Sequence, residues 1–120
     1  MAFIAYALPI APGQSGRAAS FGAEMTPELK EHYEELNRHA NVRRHLEWIQ
    51  NSPVGDLLIV LFETDTPARV GRPFTDSDYD RWWTARVQAI HGFDPTAPDF
   101  KPVIPALTWD WHDEVSNGHS

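Results

Sequence analysis

The run DLLIVLFET, residues 56–64, is almost wholly apolar and follows a turn-rich stretch, Asn51 to Gly55. Such a run reads as a strand buried on both faces, and so as the centre of a sheet. Residues 43–50, RRHLEWIQ, precede the turn and form the partner strand of a hairpin. Their alternation puts Arg43, His45 and Glu47 on one face and Arg44, Leu46, Trp48 and Gln50 on the other.

The rest of the chain arranges itself around that hairpin. AFIAYALPI, residues 2–10, reads as a strand ending at APG, with Ile4, Tyr6 and Leu8 on one side and Phe3, Ala5 and Ala7 on the other. The small alanines let a helix approach closely or leave room for a ligand. Residues 15–40 carry Ala18, Phe21, Met25, Leu29, Leu36 and Ala40 at helical spacing, with a kink or fresh start expected at Thr26-Pro27. Residues 66–75, TPARVGRPFT, read as loop.

A second helix follows, capped by Ser77 with Asp80 and stopped by Gly92, with a stripe of Tyr79, Trp83, Val87 and Ile90. Trp82 lies off that stripe and is expected to reach sideways, because adjacent helical residues diverge by about 100°. His91 at the helix end is expected to act structurally, protonated against the negative pole. Four prolines in residues 93–105 predict a stiff connector over 94–105. Residues 106–112 predict a last strand, with Leu107, Trp109 and Trp111 on one face.

The order is β-α-β-β-α-β, which predicts an α+β, ferredoxin-like fold: a four-stranded antiparallel sheet with both helices on one face. One domain over residues 1–113 and a flexible tail over 114–120 are expected. The bare sheet face must be polar or find a partner, and pairing as a dimeric α/β barrel, a homodimer, answers that need.

Composition narrows the function. The net charge of −7, without a strong basic cluster, argues against nucleic acid. The absence of cysteine excludes disulfides and thiol chemistry. No segment reads as a signal peptide or a membrane span, so a cytoplasmic protein is expected. Five Trp, three Tyr and six Phe are enough for a core plus an interface or a ligand pocket.

No nucleotide-binding loop or nucleophile elbow is present, and no cofactor is expected. His32, Glu35 and His39 share one side of the first helix, but without a recognised metal-binding spacing no metal site is assigned. His45, Glu47 and Arg43 suit proton transfer or a charged patch at the dimer surface, and the interface reading is preferred. Tyr6, Tyr33, Trp48, Trp83 and Trp109 are candidate ligand-lining aromatics, against the plainer expectation that they are core.

The stretches YALPIAPG, EHYEELNRHANV, RRHLEWIQNSPVGDLLIVLFETD, YDRWWTARVQAIHGFD and TWDW resemble a family of small uncharacterised bacterial proteins. That family belongs to the dimeric α/β-barrel superfamily and is distantly similar to antibiotic-biosynthesis monooxygenases. The resemblance implies a pocket between sheet and helices. It also implies a small-molecule-binding homodimer of the cofactor-independent monooxygenase or isomerase type, acting on a small aromatic or secondary metabolite. His32 or His45 would then serve as acid or base. The alternative is a non-catalytic ligand-binding or stress-associated dimer.

Overall fold

The apolar run at the middle of the sequence is also the middle of the sheet. In the computed structural model, which describes residues 2–67, 70, 76–98, 100 and 106–113, strand β3 (Leu57–Thr64) lies between β1 (Ala2–Pro9) and β2 (Val42–Gln50). It is antiparallel to both, so β1 and β2 run parallel to each other with β3 inserted between them. The helices are α1 (Ser15–Ala18), α2 (Pro27–His39) and α3 (Asp78–His91). This is an α+β arrangement compatible with the ferredoxin-like fold. Every side chain of β3 is buried or half-buried, as its apolar sequence demands.

Register decides which residues meet the helices. Ile4, Tyr6 and Leu8 line up with Phe62, Val60 and Leu58, and these with His45, Glu47 and Ile49. That face is covered: Leu58 and Val60 join Ile10, Ala18 and Ile90 in the core, with Tyr6, Ile49 and Phe62 packed on it. Two expectations are thereby corrected. The alanines of β1 lie on the uncovered face and neither receive a helix nor line a helix-side pocket. His45 and Glu47 lie under the helices rather than on a dimer surface. Arg43 leaves their company because a bulge between Val42 and Arg44 makes it the extra residue, and it pairs with Asp65 at 2.7 Å.

The helix starts follow their sequence signals. Thr26 Oγ1 accepts the Leu29 N–H at 3.2 Å, with Pro27 at the first helical position. Ser77 Oγ accepts the Asp80 N–H at 3.1 Å, and Gly92 closes α3 with φ 78°. Replacing Ser77 with alanine should cost about 1 kcal/mol, read as a lower midpoint with unchanged slope in urea unfolding. The helix expected over residues 15–40 is interrupted: turns fill residues 19–24, where Gly22 weakens the helix, and α2 starts afresh.

His91 behaves differently from expectation. Its Nδ1–H donates to the Pro9 carbonyl at 2.7 Å, tying α3 to the end of β1. Burial is the main influence and holds its pKa below the usual histidine value, so the ring is neutral at pH 7 rather than a charged partner for the helix pole. The unfolded chain therefore takes up this proton first. The stability that neutral His91 contributes is full above its ordinary pKa and is lost as pH falls through the lower folded value. Thermal melts should show the wild type losing more stability than His91→Gln between pH 7 and pH 5.

Among the described residues the expected fourth strand is not formed. Residues 106–113 have no regular structure, and Leu107, Trp109 and Trp111 are 81%, 80% and 72% exposed. A strand needs a ladder partner, and alternation alone does not supply one. Most of the loop at 68–75, much of the Pro-rich connector and the tail 114–120 lie outside the described residues.

Candidate active site

The bulge in β2 and the unbroken pairing of β3 bring a polar group beneath the helices. One row across the sheet reads Tyr6, Val60, Glu47, and the next reads Ile4, Phe62, His45. The His45 ring stacks on Phe62 at 4.3 Å between centroids. Its Nε2 meets Glu47 Oε2 at 2.9 Å, and its Nδ1 meets the Tyr33 hydroxyl of α2 at 2.6 Å. A carboxylate only accepts, so in the neutral ring Nε2 carries the hydrogen and Nδ1 accepts the Tyr33 O–H. The result is a continuous chain, Tyr33 to His45 to Glu47, with the imidazole between a phenol and a carboxylate.

The two tyrosines flanking this chain are held as acids. Burial, helped by the Glu47 charge, pushes the Tyr6 hydroxyl up to about 12. Burial foremost, with the Glu47 and Glu34 charges behind it, also raises Tyr33. Both keep their protons at neutral pH, and Tyr33 donates its O–H to His45.

These groups open onto a cleft of about 480 Å³ lined by Tyr33, His45, Glu47, Ile49, Leu58 and the turn residues Ala18, Ala19, Phe21 and Gly22. The lining mixes these polar groups with apolar side chains, the usual make-up of a small-molecule site. Phe21 stands edge-on to both Tyr33 and His45, at 5.5 and 5.8 Å. Trp82 backs Phe21 at 5.8 Å and Tyr79 at 5.7 Å, which is where its sideways reach ends.

Of the expected site residues, Tyr33 and His45 meet in the cleft, while Tyr6 shares the sheet row of Glu47 but lies outside the cleft lining. Trp48 lies on the opposite sheet face, Trp109 is in the exposed C-terminal segment, and Trp83 is half-buried on α3 away from the cleft lining. His32 sits 5.2 Å from the Tyr79 ring and lines a separate depression with Thr26, Glu28, Leu29, Asp78, Tyr79 and Trp82. Among the described residues no group of three or more His, Asp or Glu side chains is placed to hold a metal. Phe21, Phe62 and Arg86 were not singled out from the sequence. Arg86 had a signal: it lies seven residues after Tyr79, on the buried side of α3.

No protein-family model matches the chain. No curated protein matches it either. Among solved structures it is similar to L-rhamnose mutarotase from Formosa agariphila, with a TM-score of 0.56 and 16% identity over 94% of this chain and 99% of that one. At that identity the likeness is one of fold. It supports the ferredoxin-like reading and adds no support for the expected monooxygenase kinship. No helix among the described residues is long and apolar enough to cross a membrane.

Proposed function

We propose that this protein is a cofactor-independent acid/base catalyst of the isomerase type, acting on a small neutral hydroxylated molecule in the cleft beneath Phe21. The observation that carries the reading is the Tyr33–His45–Glu47 chain along one wall of that cleft. Anomer interconversion suits such a chain. Glu47 takes the proton of an anomeric hydroxyl while the bond from that carbon to the ring oxygen breaks, and Tyr33 delivers a proton to the departing ring oxygen. The open-chain aldehyde rotates and closes by the reverse steps. Closure returns both protons to Tyr33 and Glu47, so His45 carries none: its Nε2–H holds the Glu47 carboxylate and its Nδ1 holds the Tyr33 O–H in position. No oxidant is needed, and the mutarotase among the structural neighbours is consistent with this class of chemistry.

The charge of the lining selects the ligand. Among the described residues Glu47 is its one ionisable carboxyl, and no Lys or Arg lines the cleft. Phosphorylated or carboxylated molecules are therefore disfavoured. The aromatic wall also suits a planar ligand, and a purely binding role is the competing outcome. The apolar helix-free sheet face supports a homodimer as the working form.

NMR exchange spectroscopy of anomers, run with L-rhamnose and a panel of neutral and phosphorylated aldoses, tests the proposal. Faster interconversion of at least one neutral aldose, with no effect on the phosphorylated ones, is expected. Binding without acceleration of any aldose would assign the cleft to ligand capture instead.

A further inference from the structure

The turn segment that roofs the cleft has little holding it there. The backbone hydrogen bonds recorded for the amides of Ala18, Ala19, Ser20, Glu24 and Met25 all run to residues three or four positions earlier. None ties the segment to the sheet. Beyond Ala18 in the core and the ring contacts of Phe21, its polar anchors are side-chain bonds at its two ends. At the first, Ser15 Oγ donates to Asp56 Oδ2 at 2.5 Å, fastening it to the β2–β3 turn. At the second stands Arg86 of α3.

Arg86 is only 5% exposed, an unusual place for a guanidinium unless its donors are filled. They are filled by the segment itself. One terminal nitrogen bonds the Glu24 carboxylate, and the other donates to the carbonyls of Arg17 at 2.8 Å and Ala18 at 3.3 Å. The two carbonyls belong to the end of α1, and that of Arg17 also accepts from the Ser20 amide at 3.0 Å and the Ser20 hydroxyl at 2.7 Å. Glu24 is in turn gripped by Ser20 Oγ at 2.9 Å and Arg17 Nε at 3.2 Å. Phe21 and Trp82 lie 5.4 and 5.9 Å from the guanidinium carbon, closing the socket with rings.

We infer that residues 15–25 form a strap across the cleft and that Arg86 is the positioning residue that clamps it, fixing Phe21 and Gly22 over the Tyr33–His45–Glu47 wall. The inference rests on the cleft being the site. Arg86 does not line the cleft, so its effect passes through the strap. Opening the clamp frees the Phe21 wall while leaving the sheet and its acid/base chain in place.

Hydrogen exchange read by mass spectrometry tests this on the full chain. Arg86→Met keeps an unbranched stem between the two rings and removes every donor. Amides of residues 18–25 should exchange at least roughly tenfold faster, the factor expected from losing charge-assisted hydrogen bonds, while β3 amides keep their protection. Arg86→Lys, with one ammonium for three acceptors, should restore part of the difference. If Arg86→Met does not fold, Glu24→Gln carries the test, with a smaller rise confined to the same residues.

In the anomer assay the clamp variants should raise KM roughly tenfold and change kcat little, the signature of lost binding rather than lost chemistry. Unchanged exchange over residues 18–25, or a rise shared equally by β3, overturns the clamp. A wild-type protein that accelerates no aldose, paired with a strap that loosens in Arg86→Met, sinks the catalytic reading and leaves the clamp standing.

Discussion

His45→Phe should lower turnover by roughly 10²–10⁴-fold, the range for disabling positioned proton-transfer groups, because His45 holds both Glu47 and Tyr33 in place. Phenylalanine preserves the ring stacked on Phe62 and deletes both nitrogens, so the chain from Tyr33 to Glu47 is cut at its centre. The stability cost should be modest, about 1 kcal/mol for the lost hydrogen bonds, because Glu47 is part-exposed and water can reach it. Glu47→Gln should fall in the same range for a different reason: the amide oxygen still accepts from Nε2–H and holds the ring, but the base is gone. Residues acting as one unit are not additive. The double variant should therefore be no slower than the worse single one, as measured by anomer exchange at neutral pH. Activity within about threefold of wild type in His45→Phe would remove the chain from the mechanism.

The parts of this architecture that are written locally were legible, and the parts that depend on distant neighbours were not. The β2–β3 hairpin, the Thr26 and Ser77 caps and the Gly92 stop each follow from residues within a few positions. The face on which His45 and Glu47 lie does not. Alternation shows that they share a side but not which side. Ile49 and Trp48 offer comparable apolar weight for opposite choices. The choice falls to Ile49 because it lies opposite Leu58, in the row that packs against Ala18 and Ile90. The His45 and Glu47 side chains are then taken inward, where Tyr33 and their own mutual bond satisfy them.

The predicted last strand failed for a related reason. Leu107, Trp109 and Trp111 alternate well, yet pairing needs an edge to join, and alternation does not name one. The clamp was hidden in plain composition. A single arginine on the buried side of α3 gains its meaning only when Glu24 and the end of α1, more than sixty residues earlier, fold against it.

Trp48→Glu should separate the proposed homodimer into monomers. The helix-free face presents Phe3, Ala5 and Ala7 of β1, Leu57, Ile59 and Leu61 of β3, and Leu46 and Trp48 of β2, with Phe3 and Trp48 65% and 48% exposed. Its charged pair, Arg44 opposite Glu63, lies toward one end. A contiguous apolar surface of this kind is rare on a monomer. A second copy related by a two-fold axis offers the same surface in return, and two such sheets pack about 10 Å apart with their side chains interleaved. A carboxylate at position 48 would be buried there without a partner, so association should weaken by a hot-spot-sized margin, roughly 2–4 kcal/mol. Native mass spectrometry at micromolar concentration reads the outcome against a chain mass of 13.6 kDa. A wild type found only at that single-chain mass would end the homodimer proposal. A variant still found at twice that mass would place the interface elsewhere. The cleft lies on the other side of the sheet, so the monomeric variant should keep its strap closed and its Tyr33–His45–Glu47 chain intact. Retained anomer exchange in that monomer would separate the chemistry from the assembly.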